Sequence, residues 1–237
     1  MKNLIDNTSP QKTARLAGFL YLIVAVCGMF AELYVNSKLI VSGDAAATAS
    51  NIMANELLFR IGFVSNLISS ACFLLFALVL YKLFKPVNKN FALLFVFLVS
   101  TSVVILCINM LNQFAALLLL NGAGYLTAVF NTSQLQALSM FFLDLYKYGY
   151  LIAQIFFGGY LLPLGYLVFK SGFLPRIIGV LLIIAGFANL IDFFTQFLFP
   201  SFAAIISPYV LLLTLGEIVF GLWLLIKGVK VKLDQEK

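Results

Sequence analysis

The 237 residues are 63% hydrophobic and 10% charged, and Lys and Arg outnumber Asp and Glu by 15 to 9, for a net charge of +6. Water-soluble domains run nearer a quarter charged, so this balance excludes an ordinary globular protein and makes lipid the main solvent. The sequence contains no histidine, which removes histidine-ligated haem, histidine zinc sites and Ser-His-Asp or Cys-His nucleophile pairs.

Inside a bilayer every backbone polar group must be satisfied within the protein, and uninterrupted apolar runs of about 20 residues answer that demand with helices rather than a barrel. The length suits one compact bundle. Basic residues sit at the ends of apolar segments and form no stripe, so nucleic acid is not an expected partner. Cys27, Cys72 and Cys107 all fall inside apolar runs and read as small buried hydrophobes.

The chain opens with a polar segment, Met1 to Arg15, and a first predicted helix over about 16–34. Its apolar stretch is long for a signal peptide and no small-residue cleavage site follows, so an uncleaved span is expected. In the connection after it, Ser42-Gly43-Asp44 precedes an Ala-rich run, the pattern of an N-capped short surface helix. A second span is predicted over 56–84, a short basic turn from Lys85 to Asn90 follows, and a third span covers 91–120.

The longest connection starts at Asn121-Gly122-Ala123-Gly124. Ser133 with Gln136 resembles a capping box, and Leu135, Leu138, Phe142 and Leu145 recur at helical spacing. The spacing predicts an amphipathic surface helix leading into a fourth span over 148–169, where Gly159 and Pro163 are placed to bend it. Pro175 opens a fifth span over 174–199, and Pro200 and Pro208 bracket the loop before a sixth over 208–226. Glycines recur every seven residues at 158, 165, 172, 179 and 186, which reads as close packing of the fourth and fifth spans.

The fold class is therefore all-α: a single domain over 1–237, a polytopic membrane bundle of six transmembrane helices with short amphipathic helices in the two longer outer loops. One side carries Lys2, Lys12, Arg15, Lys82, Lys85, Lys89, Lys170, Arg176, Lys227, Lys230, Lys232 and Lys237, which is 12, and the other carries Lys38, Arg60 and Lys147, which is 3. The positive-inside rule then puts both termini in the cytoplasm. Tyr34, Tyr125, Tyr146, Tyr148, Tyr150 and Tyr209 crowd the opposite face as an interfacial belt would, with Tyr81 and Trp223 near the inner one.

Polar groups at membrane depth are expensive, so they mark the candidate site. They are Glu32 on the first helix; Glu56 and Arg60, spaced as an ion pair, on the second; Asn109, Asn112 and Gln113, in a stripe with Ser102, on the third. The fourth offers Asp144, Lys147 and Gln154, the fifth Asn189, Asp192 and Gln196 on one face, and the sixth Glu217 near the midplane with Thr214 and Gly221. Asn66 lies around the second helix from Arg60 and suits helix packing beside Gly62 and Ser69. Applied to the topology, nearly all these groups fall in the outer half and predict an outward-facing polar cavity above an apolar plug. Once Glu56 and Asp144 are paired with Arg60 and Lys147, at least one of Glu32, Asp192 and Glu217 must be protonated or held by amides. Glu217, with no basic residue at its depth, is the first candidate.

The stretches GDAAATASNIMANELLFRIGF (Gly43 to Phe63), GYLVFKSGFLPRIIGVLLIIAG (Gly165 to Gly186), ARLAGFLYLIVAVCGMFAELYV (Ala14 to Val35) and LNQFAALLLL (Leu111 to Leu120) resemble a bacterial membrane family labelled domain of unknown function 4386. The resemblance covers nearly the whole chain and implies a multi-pass protein of a bacterial cytoplasmic (inner) membrane. It carries no assigned activity. Its repeated marks include Glu32, Glu56, Arg60 and Asp192. Members often carry a histidine near Asp144 to Tyr148, where this chain has none, so a chemistry shared through that histidine is either lacking here or falls to Lys147.

No catalytic residue, metal ligand or cofactor is assigned from the sequence. The expected partners are the bilayer and a small polar molecule, a lipid headgroup or an ion, bound or transported. An intramembrane enzyme acting on lipids, and a structural or regulatory subunit, are the alternatives.

Overall fold

The computed structural model describes residues 9–230. Lys2, Lys232 and Lys237 of the charge count lie outside the described residues. Six helices are long and apolar enough to cross a membrane: α1 Pro10–Leu39, α2 Glu56–Phe84, α3 Lys89–Leu120, α4 Thr132–Ser171, α5 Arg176–Leu198 and α6 Pro200–Ile226. There is no strand among the described residues. Large apolar side chains stay exposed along the helices, Leu33, Leu57 and Phe97 among them. That is the surface of a multi-pass membrane protein, whose apolar exterior is solvated by lipid.

The expected elements are present, and their ends differ for local reasons. Asp44 caps the short helix Ala45–Ala54, its Oδ1 accepting from the Ala47 N–H at 2.9 Å. Asn88 does the same for α3, accepting from the N–H groups of Asn90 and Phe91. The helical pattern around Leu135 is not a separate surface helix but the first turns of α4, a continuous helix of 40 residues. Its capping box is Asn131 with Gln134, each side-chain oxygen accepting the other's backbone N–H at 2.9 Å, rather than Ser133 with Gln136. Pro200 and Pro208 do not bracket a loop. Pro200 opens α6, where its missing N–H costs nothing, and Pro208 lies inside the helix.

Backbone contacts divide the described chain into two compact units. The first takes the residues up to Ile23, then Cys72–Ser102, then those from Gln154 onward; the second is Val24–Ala71 with Val103–Ala153.

In the first unit the heptad glycines act as the spacing foretold. A Cβ on Gly165 would stand 2.7 Å from the Gly179 carbonyl oxygen, and one on Gly179 would stand 2.7 Å from the Gly165 oxygen. Gly158 and Gly186 meet in the same reciprocal way, so α4 and α5 touch backbone to backbone. Gly172, between them, has a φ of +71° and makes the turn. Gly18 against Leu225, and Gly221 against the Tyr21 ring, bring α1 and α6 equally close. In the second unit Val35, Leu39, Ile52, Phe59, Ala116, Leu117 and Leu143 form a buried apolar core. Gly62 admits Val35 against α2.

Candidate functional site

The polar groups singled out by depth separate into clusters, each contained within one unit. In the first unit Asp192 is buried on α5 and binds three donors. Its Oδ2 accepts from Gln154 Nε2 at 2.8 Å and from Gln196 Nε2 at 2.6 Å, and its Oδ1 accepts from Ser207 Oγ at 2.7 Å. Gln154 comes from α4, Ser207 from α6 and Gln196 from the next turn of α5. One carboxylate thus ties three helices. Of the Asn189, Asp192 and Gln196 face read from the sequence, Asp192 and Gln196 meet at i and i+4, while Asn189 turns to the Ala185 carbonyl and to Glu217.

Glu217, on α6, makes the second cluster. The Tyr160 hydroxyl of α4 donates to its Oε2 at 2.6 Å, and the Asn189 side chain of α5 hydrogen-bonds it as well. Tyr160 is itself fixed by edge-on contacts with Phe73 and Phe95, at ring separations of 5.4 and 5.8 Å.

The second unit holds Glu32. It sits in a π-helical turn of α1, Phe30–Asn36. Its Oε1 accepts from Tyr146 Oη at 2.8 Å and from Asn66 Nδ2 at 3.0 Å, and its Oε2 accepts from Asn36 Nδ2 at 2.9 Å. Asn66 also donates to Tyr146 Oη at 2.9 Å. Tyr146 is anchored from the other side, because Asn109 Nδ2 donates to its backbone oxygen at 2.7 Å while Asn112 Nδ2 donates to Asn109 Oδ1 at 3.0 Å. Gly149 leaves the room that the Asn109 amide fills. Gln113 is fully buried and its Oε1 has no hydrogen-bond partner.

The remaining candidates stand apart. Arg60 and Glu56 form the expected pair, with Nη2 2.6 Å from Oε1, and are the ion pair among the described residues. They are largely exposed, at 49% and 34% of their side chains, so the pair contributes little. Asp144 and Lys147 are exposed and form no ion pair, which corrects the expectation that they neutralise one another.

Two readings of single residues change. Tyr146 is not a belt residue: at 7% exposure it is core, and its hydroxyl serves Glu32. Asn66 is more than a packing group, since it bonds that carboxylate directly. Tyr160, Ser207 and Asn36 were missed altogether. A tyrosine or serine in an apolar run carries no signal until the facing helix is known.

These clusters share one chemistry. Among the described residues Glu32, Asp192 and Glu217 have no basic side chain as a hydrogen-bonding partner; amides and hydroxyls take that place. Donation to a carboxylate partly replaces the hydrogen bonds with water that burial removes. Among the described residues no three Cys, Asp or Glu side chains converge as metal ligands. The acids stand singly.

Fold and clusters together define a polytopic α-helical membrane protein with isolated carboxylates held by neutral donors at membrane depth. The model of the family described as Domain of unknown function (DUF4386) matches residues 16–228, and the chain belongs to that family. A curated relative from Archaeoglobus fulgidus, described as an uncharacterized protein, is 32% identical over 155 residues, covering 65% of this chain and 76% of its own. That relative is archaeal. No solved structure matches the chain.

Proposed function

We propose that the protein binds and transports a small polar solute bearing a positive charge, using Asp192 and Glu217 as counter-charges. The observation behind this reading is that both clusters lack a basic partner among the described residues. An acid at membrane depth is costly, by about 2.5–3.5 kcal/mol even on the lenient insertion scale. An acid kept for stability alone would be expected beside Lys or Arg. Among the described residues no Lys or Arg occupies the place an incoming cation would take at either carboxyl.

Asp192 draws its donors from α4, α5 and α6, and Glu217 draws on the same three helices. A solute engaging both acids would therefore act on the packing of all three. Protonation of either acid removes a counter-charge and releases the solute, which couples its movement to a proton. In this reading the protein lies in the cytoplasmic membrane with both termini inside, and the solute enters from the outer side.

The test is a thermal-shift panel of small ammonium and guanidinium compounds on the detergent-solubilised protein. At least one compound is expected to raise the wild-type Tm and to lose that effect in both Asp192→Asn and Glu217→Gln. A panel that leaves the wild type unmoved, or a shift that survives both substitutions, refutes the reading.

A further inference from the structure

The Glu32 cluster belongs to the other unit and takes no part in the solute reading. Its groups are of one kind. Two carboxylate oxygens, the Tyr146 phenol oxygen and the Asn36 amide oxygen all carry lone pairs, and no sulfur or imidazole stands among them. Asn36 Oδ1 is buried and has no hydrogen-bond partner, although the nitrogen of the same amide bonds Glu32. A buried acceptor without a donor costs about 1–3 kcal/mol. Because the nitrogen of that amide faces Glu32, Oδ1 points away from the carboxylate and meets a ligand beside it only when the amide turns over.

We propose that Glu32, Asn36 and Tyr146 form a binding site for a monovalent metal cation, Na⁺ or K⁺. Hard oxygen donors select alkali or alkaline-earth ions over softer transition metals. Charge decides between the remaining classes. The cluster carries one carboxylate and no basic partner, so a monovalent ion neutralises it, whereas a divalent ion would leave a net positive charge at membrane depth.

The amide of Asn36 can serve either state. Through its nitrogen it donates to the carboxylate; turned over about its terminal torsion, it presents its oxygen to a cation beside that carboxylate. Asn66 meanwhile holds Oε1 and the tyrosine hydroxyl in place from α2. The π-helical turn that carries both Glu32 and Asn36 is a local departure of the kind that recurs at functional sites, because it widens the helix and loosens its carbonyls.

The experiment is thermal unfolding of the detergent-solubilised full-length protein in NaCl, KCl or choline chloride at equal ionic strength. The wild-type Tm is expected to rise saturably with Na⁺ or K⁺ relative to choline, as binding to the folded state requires. In Glu32→Gln the rise should vanish. In Asn36→Leu, which keeps the carboxylate and loses the orphaned oxygen, the half-maximal concentration should increase at least tenfold. Asn36→Asp adds a second carboxylate and should respond to CaCl2 where the wild type does not. If Glu32→Gln does not fold, the two Asn36 variants decide. A wild type indifferent to both ions, a Glu32→Gln protein with the wild-type response, or Asn36 variants that match the wild type in every salt would overturn the site. Choline is itself an ammonium compound, so the salts are repeated in Asp192→Asn and Glu217→Gln: a Glu32-dependent rise that persists there belongs to this site alone, and this site and the solute reading then fail separately.

Discussion

Removing the Asp192 carboxylate while keeping its shape should weaken the fold, and the hydrogen bonds set the size. In Asp192→Leu three donors lose their acceptor: Gln154 Nε2, Gln196 Nε2 and Ser207 Oγ. Gln154 is 7% exposed, so its amide cannot turn to a better-solvated partner, and an orphaned buried group costs about 1–3 kcal/mol. The other two are half-buried and can re-pair, so each is assigned the average membrane hydrogen bond of about 0.6 kcal/mol. The expected loss is about 2–4 kcal/mol. Asp192→Asn keeps one acceptor oxygen and should lose about one bond, roughly 0.6–1.7 kcal/mol. The opposing effect is relief from burying an acid, which can make an apolar replacement neutral or stabilising. The donors win here because they come from three different helices and cannot collapse onto one another. Reversible unfolding by SDS in bicelles measures the order wild type, Asn, Leu. An Asp192→Leu protein as stable as the wild type would refute the reasoning and mark the carboxylate as a group retained at the fold's expense.

Neighbouring glycines on α4 offer a paired test of the seam. Gly158→Ala would place its Cβ 2.7 Å from Leu190 Cγ and 2.8 Å from the Gly186 oxygen, and should cost about 1–3 kcal/mol as overpacking, whereas Gly159→Ala meets only Leu98 at 3.8 Å and should be tolerated. The same SDS titration reads both, and equal losses would mean that α4 and α5 do not pack through Gly158. For orientation, in a background with Cys27, Cys72 and Cys107 replaced, a membrane-impermeant maleimide should label Val129→Cys on intact cells. Asn88→Cys should label only after permeabilisation, and the opposite pattern would invert the proposed topology.

Most of the fold was legible because it follows from the bilayer itself. Twenty apolar residues need a helix, and a helix of that length spans. Within the helices, i and i+4 spacing was enough to place Glu56 with Arg60 and Asp192 with Gln196. Likewise the seven-residue glycine period needed only the knowledge that α4 and α5 follow each other across a tight turn. What failed were statements about which face of one helix meets which face of another. Ser207 was assigned to a loop and Tyr146 to the interface, yet both are donors to carboxylates on other helices. The helix end that began sixteen residues earlier than expected, at Thr132 rather than 148, came from reading an amphipathic pattern as a surface segment when its polar face only precedes the span.

That same limit explains why the sequence gathers these residues into one set, whereas hydrogen bonds assign each to a particular carboxylate. A census by depth groups every polar residue at a given level of the membrane, whichever way it points. Hydrogen-bond geometry divides them instead by the carboxylate each one serves, and every carboxylate at depth turns out to have its own set. Glu32 takes two asparagines and a tyrosine, Asp192 two glutamines and a serine, and Glu217 a tyrosine and an asparagine. Neutral donors can hold a charge without cancelling it, which a lysine or arginine could not do. A bundle that placed its acids beside its basic residues would be electrically finished, as Glu56 and Arg60 are. Among the described residues the three embedded acids have neutral hydrogen-bond partners, and that difference is the basis for proposing that a cation or a proton binds there.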